Sequence, residues 1–191
     1  MFAAGNGDSI LFQHSAGDTV TLLIDGGCTS SIRENVLPVL CALREAGLSL
    51  DLLVSTHIDA DHITGIVTLL RDNGNAVSPK IVQIGRVWHN SLRSLATVTY
   101  KPTVISTSDR ELLDEIKSRG YTETEHGVES EISAKQGSSL ANLLINGGYC
   151  WNEGKGETPI CSGSQLKLPA DCHVTVITPS QDRYSPFVTG G

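Results

Sequence analysis

Between Ser55 and Gly65 the chain reads STHIDADHITG, so His57, Asp59, Asp61 and His62 place four side chains able to ligate a metal within one short run. The run follows LDLLV (residues 50–54), an apolar stretch that reads as a buried strand, and leads into ITGIVTLLRDNG, which reads as the start of a helix. No lysine or arginine stands among the four, and a bound cation would resolve the repulsion between their carboxylates. Residues i and i+2 at an extended strand end point to one side, so His57 and Asp59 can share one ion. The chain then turns, and Asp61 and His62 can present to a second ion. Mixed imidazole and carboxylate donors suit Zn²⁺, Mn²⁺ or Fe and leave positions open for water. Such an ion lowers the pKa of its water to about 7, and two ions ~3.5–4 Å apart can hold both the attacking and the leaving oxygen of a hydrolysed ester. The plain alternative is a helix start at which Asp59 or Asp61 merely caps and both histidines are surface residues. Four donors in the order HxDxDH favour the metal.

The elements that must position this cluster are legible on either side of it. SILFQHS (9–15) and DTVTLLIDGG (18–27) read as a hairpin across a turn-like AGD. Ser31 with Glu34 forms a capping-box pattern, and the helix it opens runs to about Ala46, stopped by Gly47. Pro38 either kinks that helix or marks its true first turn. The strand LDLLVST then leads to the cluster and a helix over about 62–72, ended by Asn73-Gly74. Further on, KIVQIGRVW (80–88) reads as a strand, Ser108 with Glu111 as a second capping box opening a helix to Gly120, and 121–138 as a polar loop. SSLANLLING (138–147) reads as a helix closed by Gly147-Gly148, NEGKGETPICSG (152–163) as a flexible surface loop, and QLKL and HVTVITP as short strands. With about seven strands alternating with helices the fold class is α/β, and the opening hairpin excludes a purely parallel, doubly wound sheet. GNGDSI is no dinucleotide loop, because a third glycine is missing and a strand follows it.

The 191 residues, 39% hydrophobic and 18% charged, predict one domain over 1–191. A net charge of -7 argues against a broad basic face for nucleic acid, yet leaves a metal nuclease open because bound cations supply positive charge locally. Five cysteines without a CxxC pair predict reduced, mostly buried thiols in the cytoplasm and no redox centre. No stretch approaches the ~20 apolar residues of a membrane span, and MFAAGNGDS has no secretory-signal pattern.

THIDADHITG resembles motif two of the metallo-β-lactamase superfamily, HxHxDH, with Asp59 standing where a second histidine is common. LLIDGG resembles motif one, which implies that Asp25 orients the ligands. GNGDSILFQ is similar to the opening of the branch related to the hydrolase domain of ComEC-type competence proteins, matching Gly7 and Asp8. For Asp8 a turn role and a site role both stand open. The resemblance covers residues 5 to about 70. Beyond it, AKQGSSLANLLINGGYCWN and VTVITPS are similar to stretches of larger bacterial members, some encoded beside STAND-type ATPases in anti-phage defence.

The resemblance implies an αββα sandwich and a metallo-hydrolase holding one or two Zn or Mn ions. It also implies a phosphodiester substrate, nucleic acid or nucleotide, and makes Asp61 both a ligand and the catalytic proton acceptor. A second reading, favoured by Asp59, is a catalytically degenerate scaffold in a bacterial multiprotein assembly of the anti-phage kind. The family's second half carries further ligands. Downstream stand His89, His126 and His173, of which His89, ending a strand, is retained as a further candidate. The chain is therefore expected to be the N-terminal part of its domain, incomplete at the C-terminus. An apolar sheet face would be left for a C-terminal segment or second chain to cover.

Overall fold

A computed structural model describes residues 1–4, 7–94 and 132–180, with isolated positions between 107 and 118. Strands β1 (Ile10–Ala16), β2 (Asp18–Ile24), β3 (Leu50–Val54) and β4 (Ile84–Trp88) form one sheet in that order. β1 and β2 are antiparallel, paired from Ile10↔Ile24 to Ala16↔Asp18, and the single intervening residue is Gly17 at φ 91°. That left-handed turn favours glycine. β2–β3 and β3–β4 are parallel, so the sheet is mixed.

The link from β2 to β3 is a helical run made of α1 (Thr29–Ser31), a π turn (Ile32–Val36) and α2 (Leu37–Glu45). No side chain caps its start, and the Ser31 hydroxyl instead donates to the Ala3 carbonyl at 2.8 Å. The expected Ser31–Glu34 capping box is therefore absent, because a tertiary partner claims the hydroxyl. Pro38 sits in the first turn of α2, directly after the π turn in which the Leu37 N–H reaches back to Ile32 O. A proline ring in a regular helix would strike the carbonyl four residues earlier. The widened turn is how this helix passes it, so both readings of Pro38 hold in part.

α3 (Ala60–Asn73) connects β3 to β4 and buries Ile63, Ile66, Val67, Leu69 and Leu70. α4 (Ile132–Asn146) packs against it, starting at Ile132 rather than Ser138. Residues 121–131 and most of the helix expected over 108–120 lie outside the described residues. β4 is shorter than expected because the Asn73 carboxamide accepts the N–H groups of Ile81 and Val82 at 2.9 and 3.0 Å. Those donors are then lost to a strand ladder.

One face of the sheet, with Leu23, Leu53 and Val87, packs on the helices. The other, with Val20, Leu22, Leu52 and Trp88, is buried by Ile160, Leu168 and the small hairpin of β5 (Gln165–Lys167) and β6 (His173–Thr175). The apolar face expected to lie open is thus covered by the chain itself. Six strands are seen among the described residues. The 152–163 segment has no regular structure but is pinned: Asn152, fully buried, donates to His89 O at 3.1 Å and to Thr158 O at 3.0 Å. All five cysteines are free and none is fully buried, Cys41 and Cys150 being exposed. In this the expectation of buried thiols fails.

Candidate metal centre

β2 and β3 run parallel with Ile24 beside Val54, so Asp25 and the segment Ser55–His57 leave the same edge of the sheet side by side. Backbone bonds fix both exits, Asp25 N–H to Val54 O at 2.8 Å and Ser55 N–H to Trp88 O at 2.9 Å. Asp25 adopts φ 56°, a left-handed conformation that aspartate tolerates better than most residues. Its carboxylate is buried, with Oδ1 accepting the Thr56 N–H at 2.8 Å. Oδ2 accepts the Thr56 hydroxyl at 2.5 Å and His62 Nδ1 at 3.2 Å. Thr56 Oγ1 also lies 2.7 Å from His57 Nδ1.

These bonds bring the two imidazoles together, with centroids 3.9 Å apart and planes at 50°. Ligand atoms of Asp25, His57 and His62 all lie within 4.8 Å of one another. Asp59 Oδ2 stands 3.6 Å from His57 Nε2, and Asp61 Oδ2 stands 4.0 Å from His62 Nε2. Side-chain exposure climbs from 4% at Asp25 through 14% at His62 to 41% at Asp61, 42% at His57 and 68% at Asp59. The cluster is therefore anchored on its Asp25 side and open to solvent on its Asp59 side.

α3 presents Asp61 and His62 because its first turn is locked onto the loop after Asp25. Gly26 N–H donates to His62 O and Gly65 N–H to Gly27 O, both at 2.9 Å. Asp59 is the helix N-cap, yet its side chain makes no capping bond; its main-chain carbonyl accepts the N–H groups of His62 and Ile63 instead. The capping alternative for Asp59 thus leaves its carboxylate unexplained. Gly7 lies against the main chain of Asp61, where a Cβ would come within 1.7 Å of the carbonyl oxygen. Asp8 has an exposed side chain, and its carbonyl accepts Gly27 N–H at 2.9 Å.

Of the downstream histidines, His89 is 1% exposed and lies in the interior. Its ring stacks near Trp151 (6.1 Å, 18°), and Nε2 stands 3.4 Å from Gly137 O. Burial pushes its pKa down to about 4, against a small opposing effect of the Gly137 carbonyl. It joins no ligand group among the described residues. His173 is exposed at the start of β6, and His126 lies outside the described residues. In the sequence Thr56 stands out only as the residue before His57, with no role attached to it. The signal available was a hydroxyl residue immediately before the first histidine, with an aspartate ending the neighbouring strand.

The donor chemistry suits a divalent ion: among the described residues the candidate ligand group is Asp25, His57 and His62, with Asp59 and Asp61 outside it and each beside one imidazole. Nitrogen and carboxylate donors are mixed, and the 3.6 Å between His57 Nε2 and Asp59 Oδ2 exceeds a hydrogen bond. It is close to the ~3.4 Å that separates two donors each ~2.1 Å from a tetrahedral ion. The family profile of the metallo-beta-lactamase superfamily matches residues 3–135, more than half of the chain. This chain belongs to the metallo-β-lactamase superfamily, and membership implies metal-dependent hydrolysis. Comparison with curated proteins finds no match. Among the described residues no helix is long and apolar enough to cross a membrane.

Proposed function

We propose that this chain hydrolyses phosphodiester bonds in a nucleic acid or nucleotide, with His57, Asp59, Asp61 and His62 holding one or two Zn²⁺ or Mn²⁺ ions. The observation that carries the metal assignment is the imidazole pair at 3.9 Å, with one carboxylate standing off each Nε2 at 3.6 and 4.0 Å. The phosphodiester assignment rests on the resemblance of GNGDSILFQ to the competence-protein branch. When bound, an ion supplies Lewis acidity and a water acidic enough to be deprotonated at neutral pH. The chain itself orients the rings through Asp25 and Thr56 and accepts a proton at the Asp61 carboxylate. Its solvent-open side at Asp59 admits the substrate. The reading calls for further donors outside the described residues, from a C-terminal segment or a second chain, to complete each ion's ligand set. Five free cysteines support a reducing compartment, the cytoplasm.

The test joins metal analysis of the purified protein to hydrolysis of bis(p-nitrophenyl) phosphate and single-stranded DNA, with and without added Mn²⁺. About one or two ions per chain together with turnover support the reading. Bound metal without turnover on either compound removes the phosphodiester assignment. Absence of metal uptake favours the scaffold reading, to which the aspartate at position 59, in place of the common histidine, already points.

A further inference from the structure

One hydroxyl proton decides which nitrogen of His57 carries the ring proton. Thr56 Oγ1 lies 2.5 Å from Asp25 Oδ2 and 2.7 Å from His57 Nδ1. An ionised carboxylate only accepts, so the single hydroxyl proton goes to Asp25 and Oγ1 is left with lone pairs for its other neighbour. The 2.7 Å contact must then be donated by the ring, which places a proton on Nδ1 of His57. Nε2, the nitrogen turned toward Asp59, is the one left able to bind an ion.

From this we infer that Thr56 is a positioning residue that selects the Nδ1–H tautomer of His57. The inference builds on the proposed role of His57 as a metal ligand. The threonine is itself fixed from several sides. Its N–H is held by Asp25 Oδ1 at 2.8 Å, and the neighbouring Ser55 hydroxyl donates to His57 O at 3.1 Å. A β-branched side chain also has few rotamers to choose from. The same carboxylate oxygen, Asp25 Oδ2, accepts Nδ1 of His62 at 3.2 Å. One buried aspartate therefore orients both rings, His62 directly and His57 through the hydroxyl, and aims both Nε2 atoms at the carboxylates of Asp61 and Asp59. Orienting partners of this kind are worth about 10–100-fold in metal affinity.

The experiment records long-range ¹H–¹⁵N spectra of the histidine rings in metal-free protein at mildly alkaline pH, and zinc affinity by chelator competition. The native protein is expected to show His57 protonated on Nδ1 and bare on Nε2. Thr56→Ser should keep that pattern and affinity, whereas Thr56→Val should mix the tautomers and weaken zinc about 10–100-fold. Thr56→Ala serves as a second variant should the valine chain fail to fold. A native His57 protonated on Nε2, or hydroxyl-free variants matching the native protein in both readouts, would overturn the inference. A native Nδ1–H ring in a protein that takes up no zinc upholds the tautomer assignment while removing the metallo-hydrolase reading, so the two failures are distinguishable.

Discussion

A β-carbon on Gly65 would lie 2.1 Å from the carbonyl oxygen of Gly26, and one on Gly26 would lie 2.4 Å from the amide nitrogen of Ile66. The helix that presents Asp61 and His62 therefore rests directly on the backbone that follows Asp25, with room for hydrogen atoms only. Two bonds of 2.9 Å, Gly26 N–H to His62 O and Gly65 N–H to Gly27 O, run along the same seam. Gly65 is thus required by distance, whatever its conformational freedom.

Gly65→Ala forces this seam apart. Overpacking of this kind costs about 1–3 kcal/mol, which urea denaturation would read as a lower midpoint. Moving α3 outward also separates His62 from Asp25, so zinc affinity should fall along with stability. An alanine chain as stable as the native one would mean that the contact is not tight.

Asp25 combines a left-handed backbone at φ 56° with a carboxylate that accepts three hydrogen bonds. An asparagine in its place would keep the backbone preference but turn a donor amide toward partners that donate. Asp25→Asn should cost about 1–3 kcal/mol of stability and weaken zinc about 10–100-fold. Asp25→Ala should be less stable again by about 1 kcal/mol, because alanine has no side chain to favour that conformation. Equal unfolding midpoints for the two variants would show that the backbone conformation at this position carries no cost.

The strands, α3 and the nearness of His57 to His62 were legible because their signals are local: two β-rich runs either side of a turn in β1 and β2, an apolar run in β3, HxDxDH between a strand and a helix. What escaped depends on residues distant in sequence. Ser31 gives its hydroxyl to Ala3 rather than to a helix end, and Asn73 takes the donors that would have lengthened β4. Gly7 stands in the sequence only as half of a glycine-aspartate pair until it is seen against Asp61, and the 152–163 segment looks like a flexible loop until Gly156 is seen against the Trp151 ring. The sheet face expected to be bare is covered by a hairpin more than a hundred residues downstream of β2, whose two short strands are readable in the sequence but whose seat on that face depends on contacts distant in the chain.

His89 makes stability depend on pH. Burial holds its pKa at about 4, below the ~6.5 of an exposed imidazole, so between those values the unfolded chain binds the proton and the folded one does not. Its contribution is fully present above ~6.5 and is lost as pH falls toward 4, by about 3 kcal/mol in all. His89→Gln removes the titration while keeping a donor for Gly137 O. Unfolding free energies measured between about pH 4 and 7 should fall less steeply with acid in the variant. Parallel curves would mean that the histidine is charged, or solvated, in the folded state.

Asp61 separates chemistry from folding. Its side chain is 41% exposed, and its Oδ2 lies 4.0 Å from His62 Nε2, beyond hydrogen-bond range. Its structural contribution is made through the main chain, against Gly7, and a side-chain change leaves that contact intact. Asp61→Asn keeps the shape and removes the charge, so the unfolding free energy should stay within about 0.5 kcal/mol of native. A proton acceptor contributes about 10²–10⁴-fold to rate, and loss of a metal donor adds to that. Hydrolysis should therefore fall at least about a hundredfold, with zinc stoichiometry measured alongside to separate a lost ligand from a lost base. Activity within tenfold of native would move the catalytic assignment away from Asp61, and Asp59, the other solvent-facing carboxylate of the group, would be the residue to test next.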